Sequence, residues 1–242
     1  MFRHTGKSRT FLHNLKLAAL LSLVAGIVNV TGIFAIHELT TNVTGHFAFF
    51  AEEIGKKQYL NAVHYLLFIL SFFTGAFISS LLVESISRIN LRLTNIIPIL
   101  LEASILVAIP ILGNHFVQFH AVLIACFLLF AMGMQNALVT QISNSVVRTT
   151  HLTGLFTDLG IELAQLFYFR EPAQLARLKS SIRLRLMIIL FFFTGCVFGG
   201  FLYHYIELYS LLIAALFLIG GLTYDVAKFK FKIMLRKYKI KT

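Results

Sequence analysis

Charge is scarce in this chain. Only 13% of its 242 residues are charged, about half the share typical of soluble domains (roughly 25%). Hydrophobic residues make up 58% and the mean hydropathy is +0.83. That balance excludes a soluble enzyme, an extracellular disulfide scaffold and a disordered regulator. Cysteine is scarcer still. Cys126 and Cys196 both lie in apolar runs, where a thiol serves as a small hydrophobe. The nine histidines are scattered, with no His-x3-His pair and no cysteine pair to build a metal site. His46 beside Glu52 or Glu53 is the nearest approach to one. Walker loops, dinucleotide fingerprints, Gly-x-Ser-x-Gly elbows and metalloprotease motifs are all missing. No enzyme activity, cofactor or resident metal is expected.

What the chain has is long apolar runs. A helix crossing the bilayer needs about 20 mostly apolar residues. Six stretches qualify: Leu17–Ile36, Ala62–Val83, Leu93–Leu112, Phe119–Thr140, Leu186–Tyr203 and Ser210–Val226. Lipid offers no hydrogen-bond partners, so each must be helical. The first run is too long for a signal-peptide core and carries Gly26, Asn29 and Gly32, so it is expected to be a retained helix.

The basic residues set the orientation. Nineteen of the 21 fall before the first run, between runs two and three, between four and five, or after six; only Lys56 and Lys57 fall elsewhere. Lys and Arg accumulate on the cytoplasmic side, so both termini are expected there. The formal charge of +11 then reflects topology and contact with anionic lipid, not nucleic acid. The whole chain is expected to be one membrane domain, with residues 227–242 as a basic cytoplasmic tail.

The two halves resemble each other. Gly26 precedes Asn29 by three residues, as Gly133 precedes Asn136, 107 residues on. Thr40-Thr41-Asn42-Val43-Thr44-Gly45 matches Thr149-Thr150-His151-Leu152-Thr153-Gly154 at an offset of 109, and Phe72-Phe73-Thr74-Gly75 matches Phe192-Phe193-Thr194-Gly195 at 120. Three features in the same order point to duplication. The units are 17–112 and 119–226. Each holds three spans, an odd number, so the second enters the membrane from the opposite side. The expected fold is all-α and polytopic: an inverted 3+3 repeat, as in many secondary transporters, with a short polar Thr-Gly helix after spans one and four.

The motifs Met132-Gly-Met-Gln-Asn-Ala137 and Leu152-Thr-Gly-Leu-Phe-Thr-Asp-Leu-Gly160, with the Thr-Gly motif after the first span, resemble the YoaK family of bacterial membrane proteins. The resemblance covers nearly the whole chain. It implies a location in a bacterial inner membrane and about six spans, but no substrate, since that family's function is unknown. This chain departs from the family in having His46 where Asn is usual and Asn29 where an acid is usual.

Two interpretations of the polar motifs stand side by side. The hydroxyls of Thr-Thr-x-x-Thr-Gly suit a helix start, whose free N–H groups and partial positive charge attract anions. Two such starts meeting from opposite sides would form a binding site. The other interpretation is a pair of capped interfacial helices with Glu52, Glu53, Asp158 and Glu162 facing water. Glu102 lies near the centre of the third span, where a charged acid costs about 2.5–3.5 kcal/mol. It either handles a proton or cation, or clasps a neighbouring helix. Asn29, Gln135 and Asn136 either glue helices or line a cavity.

The expected function is a small-solute permease working by alternating access. Asn29, Thr44, Gly45, His46, Gln135, Asn136, Thr153 and Gly154 would contact a small polar or anionic solute. Glu102, Asp158 and Glu162 would handle protons or ions. Six spans suit a homodimer. The alternative is a membrane scaffold, assembly factor or sensor that transports nothing.

Overall fold

The computed structural model describes residues 2, 9–91 and 93–239. Arg3, Lys7, Arg92 and Lys241, counted above for topology, and the last three residues of the basic tail lie outside that set. The described chain is helical, with no strand among the described residues. In order it forms α1 (Phe11–Ile36), α2 (Val43–Gly55), α3 (Tyr59–Ile89), α4 (Ile96–Phe119), α5 (Ala121–Ser143), α6 (Leu152–Gln165), α7 (Pro172–Ile206), a 3-10 turn (Glu207–Tyr209) and α8 (Ser210–Lys239).

Among the described residues five stretches are long and apolar enough to cross a membrane: Phe11–Ile36, Tyr59–Ile89, Ile96–Gly113, Ala121–Ser143 and Pro172–Asp225. The last runs 54 residues through the 3-10 turn, where Glu207 (φ 48°, ψ −127°) leaves the helical conformation and breaks the helix between α7 and α8. Two of the helices are longer than hydropathy alone marks them. α3 has 31 residues, about 46 Å at 1.5 Å per residue, against a hydrocarbon core of about 30 Å. α7 begins at Pro172, a residue suited to a first helical position because its missing N–H would have no helical partner there. It therefore carries the basic segment 177–185 as helix before its apolar part starts.

α1 and α5 sit at the centre. Of their apolar stretches 61% is buried, against 17% for α3. Such all-round apolar helices have no polar face to give to water and belong inside. α1 packs on α7 and α5 on α3, while α4 and α8 pack on each other and against the central pair. α2 lies on α3, and α6 on α7. Phe73 and Phe77 of α3 and Phe193 and Phe201 of α7 point outward, the surface that lipid covers in a polytopic protein.

Glycine sets the two closest crossings. A Cβ on Gly26 would lie 2.3 Å from the Phe192 carbonyl oxygen, and one on Gly133 would lie 2.1 Å from that of Phe72. A Cβ on Gly195 would meet the Leu23 carbonyl at 2.3 Å, and one on Gly75 that of Phe130 at 2.1 Å. The backbones touch, the packing mode that gains most where lipid removes the hydrophobic drive between helices.

Polar groups pin the rest. Gln135 Nε2 donates to the Leu21 carbonyl at 3.0 Å, tying α5 to α1, and Thr31 and Ser210 pair at 2.8 Å between α1 and α8. At the chain's start the Phe2 N–H donates to Asp225 at 2.7 Å, while its carbonyl accepts from Asn95 at 2.6 Å. Inside α4, Pro110 and Gly113 (φ 81°, ψ 159°) interrupt the helix.

Candidate functional site

The two Thr-Gly segments are both helix starts, each held by an asparagine from the helix before it. In the first half, Thr41 Oγ1 donates to Asn29 Oδ1 at 2.9 Å, fixing the α1–α2 connection. In the second half, Thr150 and Thr149 donate to Asn136 Oδ1 at 3.0 and 3.3 Å. Asn136 in turn donates to the Met132 carbonyl at 3.1 Å. The residues at corresponding positions therefore make corresponding bonds. The caps differ. Asn42 Oδ1 accepts the Gly45 N–H at 3.0 Å, so the start of α2 is satisfied by its own side chain. His151, at the corresponding place before α6, makes no side-chain cap bond.

These two starts line one cavity. It has a volume of about 290 Å³, and its walls include Asn42, Val43 and Thr44 from the start of α2, Leu152 and Thr153 from the start of α6, and Asn136 and Arg148. A larger cleft of about 660 Å³ lies between the connection to α6, α6 itself and α7, lined among others by Asp158, Ser181 and Arg185. Arg148 and His151 line both spaces.

The cleft's acids are neutralised in place. Arg185 Nη1 lies 2.9 Å from Asp158, and its Nε and Nη2 lie 2.9 and 3.0 Å from Glu162 in a two-pronged contact. Ser181 adds a 2.6 Å hydrogen bond to Glu162. The corresponding contact in the first half has Asn61 donating to Glu53 at 3.1 Å. There, however, the neighbours are aromatic: Tyr65 packs 5.3 Å from Phe49 and 6.0 Å from His46, and Phe68 meets His46 edge-on at 5.2 Å. His46 is fully buried and donates Nε2–H to the Leu39 carbonyl at 2.7 Å. The α2–α3 contact is packed shut, whereas the α6–α7 contact is ionic beside an open cleft.

The site residues expected from sequence thus divide. Thr44, Asn136 and Thr153 line the 290 Å³ cavity; Gly154 and Asp158 line the cleft. Asn29 and Gly45 serve the helix starts from behind, Gln135 ties α5 to α1, and His46 closes the α2–α3 contact. Glu162 is bound to Arg185. Glu102 is 1% exposed in the apolar core and lines neither space, and its Oε1 has no hydrogen-bond partner. Sequence reasoning passed over Arg148, counted only for topology, and Thr41 and Thr150, whose hydroxyls pair with the asparagines. The repeated Thr-Thr was the available signal.

Glu38, in the connection between α1 and α2, has its pKa pushed up by burial to about 7. The folded chain keeps that proton to about pH 7, whereas an unfolded chain releases it near its usual 4.5. Stability should therefore fall as pH rises from about 4.5 to about 7, and this contribution should be level above. Glu38→Gln is expected to remove that slope, worth about 1–2 kcal/mol once solvent screening of this half-buried group is allowed for. Unfolding midpoints in detergent at pH 5 and pH 8 check it. Equal slopes in both proteins would refute it.

Fold and site together define a polytopic all-α membrane protein with two matched polar helix starts facing one cavity. The chain belongs to the family described as "Protein of unknown function (DUF1275)", whose model matches residues 17–224. It is similar to the UPF0700 transmembrane protein YoaK of Bacillus subtilis (strain 168), with 27% identity over 178 residues, 72% of this chain and 78% of that protein. No solved structure matches it.

Proposed function

We propose that this protein is a small-solute permease of the inner membrane, not an enzyme, with six spans arranged as an inverted 3+3 repeat and both termini cytoplasmic. One observation carries the reading: the starts of α2 and α6, from different halves, line a single cavity. A scaffold would have no use for two matched helix starts facing a shared space. The repeat is supported by the crossed glycine contacts, in which each half's first-helix glycine abuts the other half's phenylalanine carbonyl. With the basic connection before α7 on the cytoplasmic side, the cleft beside α6 opens inward, and the aromatic α2–α3 contact closes the outer side. The molecule then stands in an inward-facing state. Alternating access would exchange the two conditions between the halves. Glu102, buried and with its Oε1 unpartnered among the described residues, is the proton-handling group of this reading.

The test is uptake into proteoliposomes of a mixed panel of small carboxylates, phosphate and neutral polyols. At least one solute should enter faster than into protein-free vesicles. Thr153→Trp, which fills the cavity, should abolish that uptake, and Glu102→Gln should flatten its pH dependence without lowering the unfolding midpoint. Uptake no faster than in empty vesicles for the whole panel would reject the permease. Uptake untouched by Thr153→Trp would reject this cavity.

A further inference from the structure

We infer that Arg148 makes the shared cavity selective for a small oxyanion, a monocarboxylate or phosphate, which reaches it through the cleft beside α6. The inference rests on the reading of that cavity as the solute site, and it adds the solute's charge, size class and path.

Position is the first argument. Arg148 lines both the 660 Å³ cleft and the 290 Å³ cavity, so a solute passing between them meets its guanidinium. Charge is the second. Among the described residues Arg148 has no ion pair or hydrogen bond. The other arginine of the cleft, Arg185, is spent on Asp158 and Glu162. Among the described residues no Asp or Glu lines the smaller cavity. Arg148 is solvent-exposed where cleft and cavity adjoin, and its unopposed charge biases the space toward anions and against cations.

Hydrogen bonding is the third argument. Thr41 and Thr150 give their hydroxyls to the asparagines, but Thr44 and Thr153, one from each half, have free hydroxyls in the same walls. The α6 start beside them has no side-chain cap, whereas the α2 start has Asn42. An oxyanion offers several acceptor lone pairs to such donors, and a guanidinium fork binds two of its oxygens at once. Size is the fourth. At about 290 Å³ the space is at the small end for ligand cavities (about 300–1,000 Å³), which suits a solute of a few heavy atoms.

The experiment titrates the purified full chain in detergent with sodium acetate, sodium phosphate and choline chloride separately, following the unfolding midpoint. Acetate or phosphate should raise it saturably, and choline chloride should not. Arg148→Gln should weaken the apparent affinity roughly 10- to 100-fold, the range for losing a charged hydrogen-bonding group. Arg148→Lys should keep part of it. Arg177→Gln, which removes a charge of the same region from a residue lining neither space, should leave it unchanged. An equal loss with Arg177→Gln would show a general charge effect and overturn the inference.

A lipid phosphate carries the same chemistry, so the titration is repeated in phosphatidylcholine vesicles with and without phosphatidylglycerol. An Arg148→Gln effect confined to phosphatidylglycerol vesicles, with no soluble oxyanion bound, would assign Arg148 to lipid and overturn the inference. Saturable oxyanion binding without flux would uphold the oxyanion site while the transport reading fails. Flux of a neutral polyol unaffected by Arg148→Gln would uphold transport and sink the oxyanion.

Discussion

Gly133→Ala is expected to destabilise the protein by more than about 3 kcal/mol, an unusually large loss for one methyl group. The added Cβ would lie 2.1 Å from the Phe72 carbonyl oxygen, 2.9 Å from its carbon and 3.1 Å from its Cα. All three are backbone atoms, so no side chain can swing aside. α3 and α5 must separate along their whole contact and give up close packing on both sides of the crossing, as overpacked interiors do. Gly26→Ala should cost a similar amount at α1 and α7, because its Cβ would lie 2.3 Å from the Phe192 carbonyl. Gly160→Ala is the control. It lies inside α6 with nothing within 4 Å of its added Cβ, so alanine's better helix propensity should stabilise by up to about 1 kcal/mol. Unfolding midpoints of the three variants in one detergent decide the matter. A Gly133→Ala protein as stable as Gly160→Ala would mean that the helices do not meet backbone to backbone.

The same glycines show what was legible in the sequence. Gly26 and Gly133, and Gly75 and Gly195, stand out as matched pairs from spacing alone. Their partners do not, because sequence order says nothing about which helices touch. The first long helix of each half packs on the second long helix of the other, so the contacts cross between the halves. The asparagines were legible as buried amides in equivalent places. Their bonds to Thr41 and to Thr149 and Thr150 depend on how sharply the chain turns into α2 and α6, which composition does not reveal. Asp158 and Glu162 look from sequence like free acids. Hydropathy begins the fifth apolar run at Leu186, so Arg185 falls outside it in what looks like a loop. The helix starts at Pro172 and carries Arg185 rigidly to both carboxylates. Apolarity marks contact with lipid, not helix continuity. For Glu102, sequence singles out a costly acid correctly, but its distance from the cavities depends on packing that its own segment does not encode.

On the permease proposed above, Asn136→Ala is expected to cut flux at least tenfold while costing only about 1–2 kcal/mol of stability, and this separation of effects tests the site most directly. Asn136 is a cavity wall and also the acceptor for Thr149 and Thr150, so its loss frees the connection that delivers Arg148, His151 and the start of α6. Thr149 is fully buried, and without the amide its hydroxyl loses its partner away from water. The cost to the fold is small because it is confined to these hydroxyls, while the backbone-to-backbone crossing of α5 on α3 at Gly133 is left intact. The cost to function is large because the α6 start must face its α2 counterpart across a space of about 290 Å³, where a shift of about 1 Å misplaces every donor. Asn136→Gln keeps an amide oxygen to accept from the threonines, adds no charge to the cavity, and should recover more flux than Asn136→Ala. Asn29→Ala releases only Thr41 and leaves Asn42 capping α2, so it should lose less flux than Asn136→Ala. The measurement is initial uptake into proteoliposomes beside the unfolding midpoint for all three variants. Equal flux from Asn136→Ala and wild type would show that the clasp does not hold the cavity. A flux loss in Asn29→Ala as deep as that of Asn136→Ala would place control of the site at both helix starts equally, against the asymmetry of their caps.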